Sequence, residues 1–241
     1  MIKLNFTLIL LLCIVMSFTC SCKKDSVKPE TGKEQKTSAN SPKDSIVPKK
    51  DNAVTGKEVQ LTPAEQKKLN IFFSNFSEVY LEPFARGSIT DDELIKFGVL
   101  HNHINNLKLF QKAGNGNLKL KEEAVSKTIG KYFGITFTGH KATTDIKYNG
   151  GYYFIPESDG EAYTFSQAEK VTDIGGDRYT AYINVYTASS GWTGNANANP
   201  KSWGTDSNEK PELTGKFKAT FSKTNGPNGE SVYNLIDYIK Q

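Results

Sequence analysis

A 23-residue stretch, residues 189–211, carries the side chains best suited to recognising a ligand. It reads SSGWTGNANANPKSWGTDSNEKP and contains both tryptophans of the chain, Trp192 and Trp203. Three asparagines stand between the tryptophans at alternate positions: Asn195, Asn197 and Asn199. An indole ring can cover the apolar face of a pyranose ring while asparagine amides hydrogen-bond the sugar hydroxyls. We therefore take these five residues as candidate ligand-binding residues, with a glycan as the expected ligand.

Two other roles remain open for the same stretch. A connection of this length without helix or strand periodicity is uncommon in a compact domain and is often functional. The tryptophans can, however, fold back and fix the loop to the neighbouring sheet, or they can contact a protein partner. The residue types alone do not separate these roles from glycan binding.

The histidines do not form a recognisable catalytic or metal-binding motif. The chain has three histidines and no GxSxG, HExxH or glycine-rich phosphate loop. His101 and His103 lie on a predicted helix about 200° apart around its axis, so one helix face cannot present both. We expect His103 at the edge of the core and His101 near solvent. No catalytic residue, metal ligand or cofactor is assigned.

An enzyme with an enclosed pocket is the alternative function. A hydrolase or isomerase of this kind would use His103, or a carboxylate such as Asp145 or Glu161, as its general base. Burial would raise the pKa of such a carboxyl group, which is the mark of a general base. A structural or assembly lipoprotein that binds another envelope protein is a further alternative.

All three cysteines, Cys13, Cys20 and Cys22, lie within the first 22 residues. The folded part of the chain can therefore contain neither a disulfide nor a cysteine metal site. An apolar run of eleven residues, Leu8 to Phe18, follows the positively charged Lys3. Such a run is too short for a membrane-spanning helix, which needs about 20 apolar residues, and is typical of a signal peptide.

The end of this leader resembles the lipobox of bacterial lipoproteins, in which a cysteine follows a small residue at the cleavage site. Cys22 is preceded by Ser21 and followed by Lys23, and Cys20 is the alternative site. Neither cysteine has the aliphatic residue that the family prefers three positions upstream. The resemblance implies cleavage after residue 21, a diacylglycerol on Cys22 and a stable membrane anchor through at least two acyl chains. It also implies the outer membrane, because no aspartate follows Cys22, and it leaves the leaflet open.

Residues 23–60 have the composition of a disordered tether. They hold no aromatic residue and are rich in Lys, Ser, Pro, Thr and Glu. Such a segment cannot bury enough apolar surface to offset the entropy lost on ordering. We therefore divide the chain into a signal peptide at 1–21, a lipidated N-terminus and tether at 22–60, and a single globular domain at 61–241.

The globular domain is expected to carry no net charge. Residues 61–241 contain 20 Lys and Arg against 20 Asp and Glu, so the net +4 of the whole chain resides in the leader and tether. Nucleic-acid binding needs a basic surface that releases phosphate counterions. The charge balance argues against a nucleic-acid partner. It leaves the membrane, through the N-terminal lipid, and a polysaccharide or envelope protein as the expected partners.

Three amphipathic helices are predicted to open the domain. Thr62 and Thr90 each precede a helix as its N-cap, with a glutamate three positions later as in a capping box. A third helix is predicted over 121–134, with Gly134 at its C-terminal end. The apolar stripe of the second helix is expected to comprise Leu94, Phe97, Leu100, Ile104 and Leu107.

After residue 145 the apolar periodicity changes from that of a helix to that of a strand. Glycines at Gly150 and at Gly175-Gly176 predict tight turns between strands, and a further hairpin is predicted after residue 215. The aromatic residues of the first hairpin are expected to pack within it: Tyr148, Tyr152, Tyr153 and Phe154. This order predicts an α+β fold with three helices packed on one face of a C-terminal antiparallel sheet. The element order is similar to that of the cone-shaped NTF2-like fold.

These features together predict a lipid-anchored lipoprotein of the cell envelope. Its folded domain is expected to be a non-catalytic binding module, with a glycan or an envelope protein as the bound partner.

Overall fold

The computed structural model describes residues 56–157, 163–203 and 210–241. Within these ranges the chain forms three α-helices and two antiparallel sheets, so the predicted α+β class is confirmed. The strands divide between two sheets, where the sequence had indicated one. Cys20, Cys22 and the leader lie outside the described residues, as does most of the predicted tether.

The three helices begin and end close to the predicted residues. They are α1 (Pro63–Ser77), α2 (Asp91–Asn105) and α3 (Glu122–Phe133). Thr62 and Thr90 both form complete capping boxes, in which the threonine side chain and the glutamate three residues later exchange hydrogen bonds with backbone N–H groups. Gly134 ends α3 in the left-handed conformation, with φ of 67°, which glycine adopts without a steric penalty.

Nine strands are formed by the described residues. They are β1 (Lys57–Glu58), β2 (Gln111–Gly114), β3 (Asn117–Lys121), β4 (Lys147–Asn149), β5 (Tyr152–Pro156), β6 (Tyr163–Gly175), β7 (Arg178–Ala188), β8 (Glu212–Asn225) and β9 (Ser231–Lys240). The larger sheet has the order β1-β6-β7-β8-β9, and the smaller sheet has the order β2-β3-β5-β4. Lys57 and Glu58 pair with Asp173 and Thr172, so the last residues assigned to the tether belong to the larger sheet.

The core lies between the helices and the inner face of the larger sheet. Aromatic rings dominate it: Phe73 and Phe76 of α1 are fully buried, and Phe73 packs edge-on against Phe221 of β8 at 5.5 Å between ring centres. Phe97 of α2 packs against both Phe76 and Tyr132 of α3 at 5.3 and 5.4 Å. Such rings bury large apolar areas and account for a domain that holds together without disulfides.

Helix α1 also covers part of the exposed edge of β6. The backbone N–H groups of Ser166 and Ala168 donate to Ser74 Oγ and Asn70 Oδ1, each at 2.9 Å. Gln66 Nε2 donates to the carbonyl of Ala168 at 2.7 Å. Three side chains of one helix thereby satisfy backbone groups that a missing strand would otherwise pair.

The predicted position of His101 near solvent was wrong, whereas His103 lies at the edge of the core as expected. His101 is 4% exposed, stacks on Phe97 and has its Nδ1 3.1 Å from Glu78 Oε1, whereas His103 is only half-buried. The reason is that α2 turns its His101 face toward the end of α1 and toward α3. Glu78 and Asn105 supply the polar partners there, and a buried imidazole requires such partners.

The predicted apolar stripe of α2 was wrong at its C-terminal end. Ile104 and Leu107 are 47% and 55% exposed, although Leu94 and Phe97 are buried as expected. Asn102 takes the inward position instead, because its amide donates to Thr128 Oγ1 of α3 at 2.8 Å. The hydrogen bond between Asn102 and Thr128 inside the core thus determines which side of the last helical turn faces inward.

Candidate functional site

The two tryptophans of the 189–203 segment fold back onto the larger sheet. Trp203 is 7% exposed, and its Nε1 donates to the carbonyl of Asn195 at 2.9 Å. Trp203 packs edge-on against Tyr186 at 4.8 Å, and Trp192 stacks on Phe165 at 5.4 Å with the rings 7° from parallel. These rings form a small apolar cluster of their own, separate from the main core.

The three asparagines use their side-chain oxygens within the fold. Asn195 Oδ1 accepts from the backbone N–H of Asn197 at 2.9 Å, and Asn199 Oδ1 accepts from that of Lys201 at 3.0 Å. Asn197 Oδ1 accepts from Asn70 Nδ2 of α1 at 3.3 Å. These bonds favour the interpretation that the segment is fixed to the sheet. A ligand contact by its tryptophans and asparagines stays a prediction.

The segment covers one end of the outer face of the larger sheet, which we define as the face opposite α1. Gln167 of β6 points outward, and its Nε2 donates to the carbonyls of Ala196 and Ala198 at 2.6 and 2.9 Å. Gln167 pairs in register with Asn184 of β7, so these two residues mark where the covering segment lies.

The open part of the outer face begins beside this segment. Tyr182 lies two residues from Asn184 on the same face, about 7 Å along the strand. It is 42% exposed, and the register places it between Lys170 of β6 and Lys218 of β8. A groove with a volume of about 320 Å³ crosses the sheet here. Its other lining residues are Gly56, Glu58, Thr172 and Thr180.

The groove combines an aromatic ring with charged and hydroxyl groups. Lys170 Nζ lies 3.4 Å from Glu58 Oε2, and none of the ion pairs in the described ranges involves Lys218. Threonine hydroxyls and lysine ammonium groups supply hydrogen bonds, and an exposed tyrosine ring supplies a flat apolar surface. The arrangement can bind a polar ligand that has an apolar face.

The groove was not predicted from the sequence, although part of the signal was present. The alternation of inward Ala181 and Ile183 along β7 already placed Tyr182 outward. The missing information was the register, which brings Lys170 and Lys218 beside Tyr182 from strands 12 and 36 residues away. Periodicity within one strand does not determine its neighbours.

The residues named for the alternative enzyme do not come together. Asp145 is exposed, His103 packs edge-on against Phe110 at 5.6 Å, and Glu161 lies outside the described residues. No shared cavity contains Asp145 and His103 among the grooves described.

A different serine and histidine do lie within hydrogen-bond distance. His140 Nε2 is 2.8 Å from Ser126 Oγ, and His140 Nδ1 is 2.9 Å from the hydroxyl of Tyr153. Ser126 Oγ also donates to the carbonyl of Phe137 at 3.0 Å. All three bonds are satisfied when Tyr153 donates to Nδ1 and Nε2–H donates to Ser126, which leaves the imidazole no lone pair for the serine proton. The chain of bonds therefore holds the segment after α3 in place.

Two tyrosines beside this histidine have raised pKa values. Burial raises the pKa of Tyr153 well above its usual value. The hydrogen bond that Tyr148 donates to the Glu122 carboxylate raises the pKa of Tyr148. Both hydroxyls therefore stay protonated and act as donors at neutral pH.

Neither a cluster of metal ligands nor a membrane-spanning helix occurs in the described ranges. In residues 56–157, 163–203 and 210–241, no three His, Cys, Asp or Glu side chains converge as metal ligands would. No helix in those ranges is both long enough and apolar enough to span a bilayer.

Comparison with known proteins gives no match: neither a protein-family model, nor a curated protein, nor a solved structure resembles the chain. The resemblances of the leader to a lipobox and of the element order to the NTF2-like fold therefore stay predictions.

Proposed function

We propose that this protein is a lipid-anchored lipoprotein of the cell envelope whose domain binds a glycan without catalysing a reaction. The observation that carries the proposal is the groove on the outer face, where the exposed Tyr182 lies between Lys170 and Lys218. The anchoring half of the proposal rests on the leader and on Cys22, with Cys20 as the alternative acylated residue.

The groove fits a saccharide better than it fits an apolar ligand. Its volume of about 320 Å³ is at the lower end of the range of small-ligand sites. Its lining is mainly polar, with the Tyr182 ring as the largest apolar surface. A pyranose presents one apolar face to such a ring and directs its hydroxyls to the surrounding threonine and lysine groups.

The segment fixed by Trp203 lies on the same face of the sheet, beyond one end of this groove. Gln167 and Asn184 separate the segment from Tyr182 on the same face of the sheet. A glycan longer than one ring would leave the groove at this end and meet the exposed side of Asn197. This arrangement reconciles the ligand role predicted for the segment with the hydrogen bonds that fix it.

The test compares two exposed tyrosines on the outer face of the larger sheet. Tyr182 lies in the groove, whereas Tyr163, 48% exposed, lies at the end that carries Trp192. Full-length protein in detergent is titrated by calorimetry with neutral glucans and with soluble cell-wall fragments. We expect Tyr182→Ala to weaken binding at least about tenfold, since a stacked aromatic residue is a typical binding hot spot. Tyr163→Ala is expected to change it by less than about twofold.

Three results would overturn the glycan proposal. They are binding that Tyr182→Ala leaves unchanged, a loss of binding in Tyr163→Ala alone, and absence of binding to every glycan tested. Circular dichroism of both variants checks that they fold. The anchor is tested separately by mass spectrometry of the N-terminal peptide from a bacterial host. We expect Cys22→Ala to abolish acylation and Cys20→Ala to preserve it; the reverse result would move the site to Cys20.

A further inference from the structure

The smaller sheet has a second solvent-facing surface that the proposed function does not use. Its inner face is apolar and buried, with Leu118 and Leu120 of β3 and Tyr153 and Ile155 of β5 all 7% exposed or less. Successive side chains of a strand point to opposite faces, so the residues between these four point outward.

The strand register brings the outward residues into two rows. Lys119, Phe154 and Lys147 are cross-strand neighbours in the first row. The second row consists of Lys121, Tyr152 and Asn149. We call these six residues the lysine–aromatic face.

The two rings of this face lie among the lysines and are accessible. Tyr152 and Phe154 are half-buried, and they are two residues apart on β5, about 7 Å along the strand. Lys119 Nζ lies 4.8 Å from the centre of the Tyr152 ring, which is a cation–π contact. Both rings therefore present flat apolar surface beside ammonium groups.

The positive charge of the lysine–aromatic face is not neutralised by the strands that form it. None of the outward residues of β3, β4 and β5 is acidic. None of the ion pairs found in the described ranges involves Lys119, Lys121 or Lys147. Of the nearby acids, Glu122 accepts from Tyr148 and Glu157 pairs with Lys112 at 3.4 Å, and neither Glu123 nor Asp145 forms an ion pair with these lysines. Three like charges on one face of a neutral domain favour an anionic ligand.

We infer that the lysine–aromatic face binds an acidic polysaccharide, with sugar rings on Tyr152 and Phe154 and sugar carboxylates on the lysines. Charge complementarity supplies the attraction, and the rings supply contacts that a simple polyanion would not use. A membrane surface fits less well, because the outward residues include no aliphatic side chain that could enter a bilayer.

Single-stranded nucleic acid is bound by the same pairing of rings and basic groups. The exported leader predicted from residues 1–21 favours the polysaccharide, because it directs the domain away from the cytoplasm. The inference concerns a different sheet from the groove at Tyr182. If one of the two sites proves not to bind its ligand, the proposal for the other site is therefore unaffected.

The experiment measures binding of full-length protein in detergent to alginate, a polymer of uronic acids, with dextran as the uncharged control. We expect alginate to bind to this face. Any dextran binding belongs to the groove at Tyr182 and is expected to be the same in wild type and in Lys119→Glu/Lys147→Glu. We expect Lys119→Glu/Lys147→Glu to weaken alginate binding at least about tenfold, since each change replaces an attraction with a repulsion. Lys67→Glu/Lys68→Glu on α1 makes the same change in net charge away from the face. It is expected to alter binding by less than about twofold.

The ring contribution separates a saccharide site from general charge attraction. We expect Phe154→Ala, which keeps every charge, to weaken alginate binding about fivefold. Lys121→Glu, at the exposed end of β3, gives a further variant that leaves the packing of the sheet unchanged. It is expected to weaken binding about threefold.

Several outcomes would overturn the inference. The first is absence of alginate binding, and the second is equal binding by wild type and Lys119→Glu/Lys147→Glu. An unchanged affinity in a folded Phe154→Ala protein would show that the face attracts alginate by charge alone and has no saccharide site. Tighter binding to a thymidine oligonucleotide, or to vesicles containing phosphatidylglycerol, would assign the face to a different partner.

Discussion

The indole Nε1 of Trp203 donates a hydrogen bond of 2.9 Å to the backbone carbonyl of Asn195. This bond closes the segment on itself across eight residues and buries the indole against Tyr186. Trp192 lies further out and is half-buried, stacked on Phe165 and Tyr163 and packed edge-on against Trp203 at 6.0 Å. The two tryptophans of the chain therefore sit in different environments within one cluster.

This difference predicts distinct fluorescence from the two tryptophans. In Trp192→Phe the remaining emission comes from buried Trp203 and is expected at shorter wavelength, with weak quenching by acrylamide. In Trp203→Phe the emission comes from half-buried Trp192 and is expected at longer wavelength, with stronger quenching. Emission spectra and quenching constants of the full-length variants provide the measurement. Equal quenching of both variants would contradict the observed burial.

The two capping boxes predict matched losses of stability. Thr62→Ala and Thr90→Ala each remove a side-chain acceptor from a helix N-terminus, and each is expected to cost about 1 kcal/mol of unfolding free energy. The measurement is urea denaturation of both single variants and of the double variant. The caps belong to different helices, so the double variant is expected to lose about the sum of the two values. A loss confined to one cap would show that the other helix is held by packing alone.

The first capping box also predicts a pH dependence. Hydrogen bonds from the backbone and hydroxyl of Thr62 hold the pKa of Glu65 below its ordinary value of 4.5. Because the folded-state pKa is the lower one, the stabilisation is present above 4.5 and is lost as the pH falls through the folded value. We expect Glu65→Gln to be less stable than wild type at pH 7, and the difference to shrink below pH 4.5. A constant difference across this range would contradict the assignment.

Local signals predicted the helices well, because a cap and its helix are close in sequence. Thr62, Thr90 and Gly134 each act through residues within four positions. The division into two sheets was not predictable in the same way. Lys57–Glu58 and Gln111–Gly114 are short and exposed, so they carry no apolar periodicity. Gln111–Gly114 pairs with the next strand, but the partner of Lys57–Glu58 is β6, far along the chain.

The two candidate binding surfaces were likewise not predictable from the sequence, because both depend on strand register. The first hairpin was expected to pack its aromatic residues internally, and Tyr153 does so while Tyr152 and Phe154 point outward. Alternation within β5 predicts that difference. The positions of Lys119 and Lys147 on either side of Phe154 follow only from the strand register. A site formed by three strands therefore requires the fold before its chemistry can be recognised.

The two histidines of α2 are expected to differ in their effect on stability. His101→Ala removes a buried ring that packs edge-on against Tyr132 at 4.7 Å, and it takes one partner from Glu78. The expected loss is about 2–3 kcal/mol of unfolding free energy. His103→Ala, the matched control on the same helix, is expected to cost about 0.5 kcal/mol or less. Guanidinium denaturation gives both values, and similar losses in the two variants would contradict the burial of His101.

Two glycines inside helices are expected to respond to alanine with opposite signs. Gly98 of α2 faces α3, where an added Cβ would lie 2.7 Å from Cγ1 of the fully buried Val125. The helices must then separate or Val125 must shift, so Gly98→Ala is expected to cost about 1–3 kcal/mol.

Gly130 of α3 has room for the same methyl group. An added Cβ would lie 3.5 Å from the carbonyl oxygen of Ile135, which is ordinary contact. Alanine is a better helix former than glycine, so Gly130→Ala is expected to stabilise the protein by about 0.5–1 kcal/mol. Thermal and urea unfolding of Gly98→Ala and Gly130→Ala beside wild type measure both effects. A shift of the same sign in both variants would mean that helix propensity, rather than the close approach of α2 to α3, governs these positions.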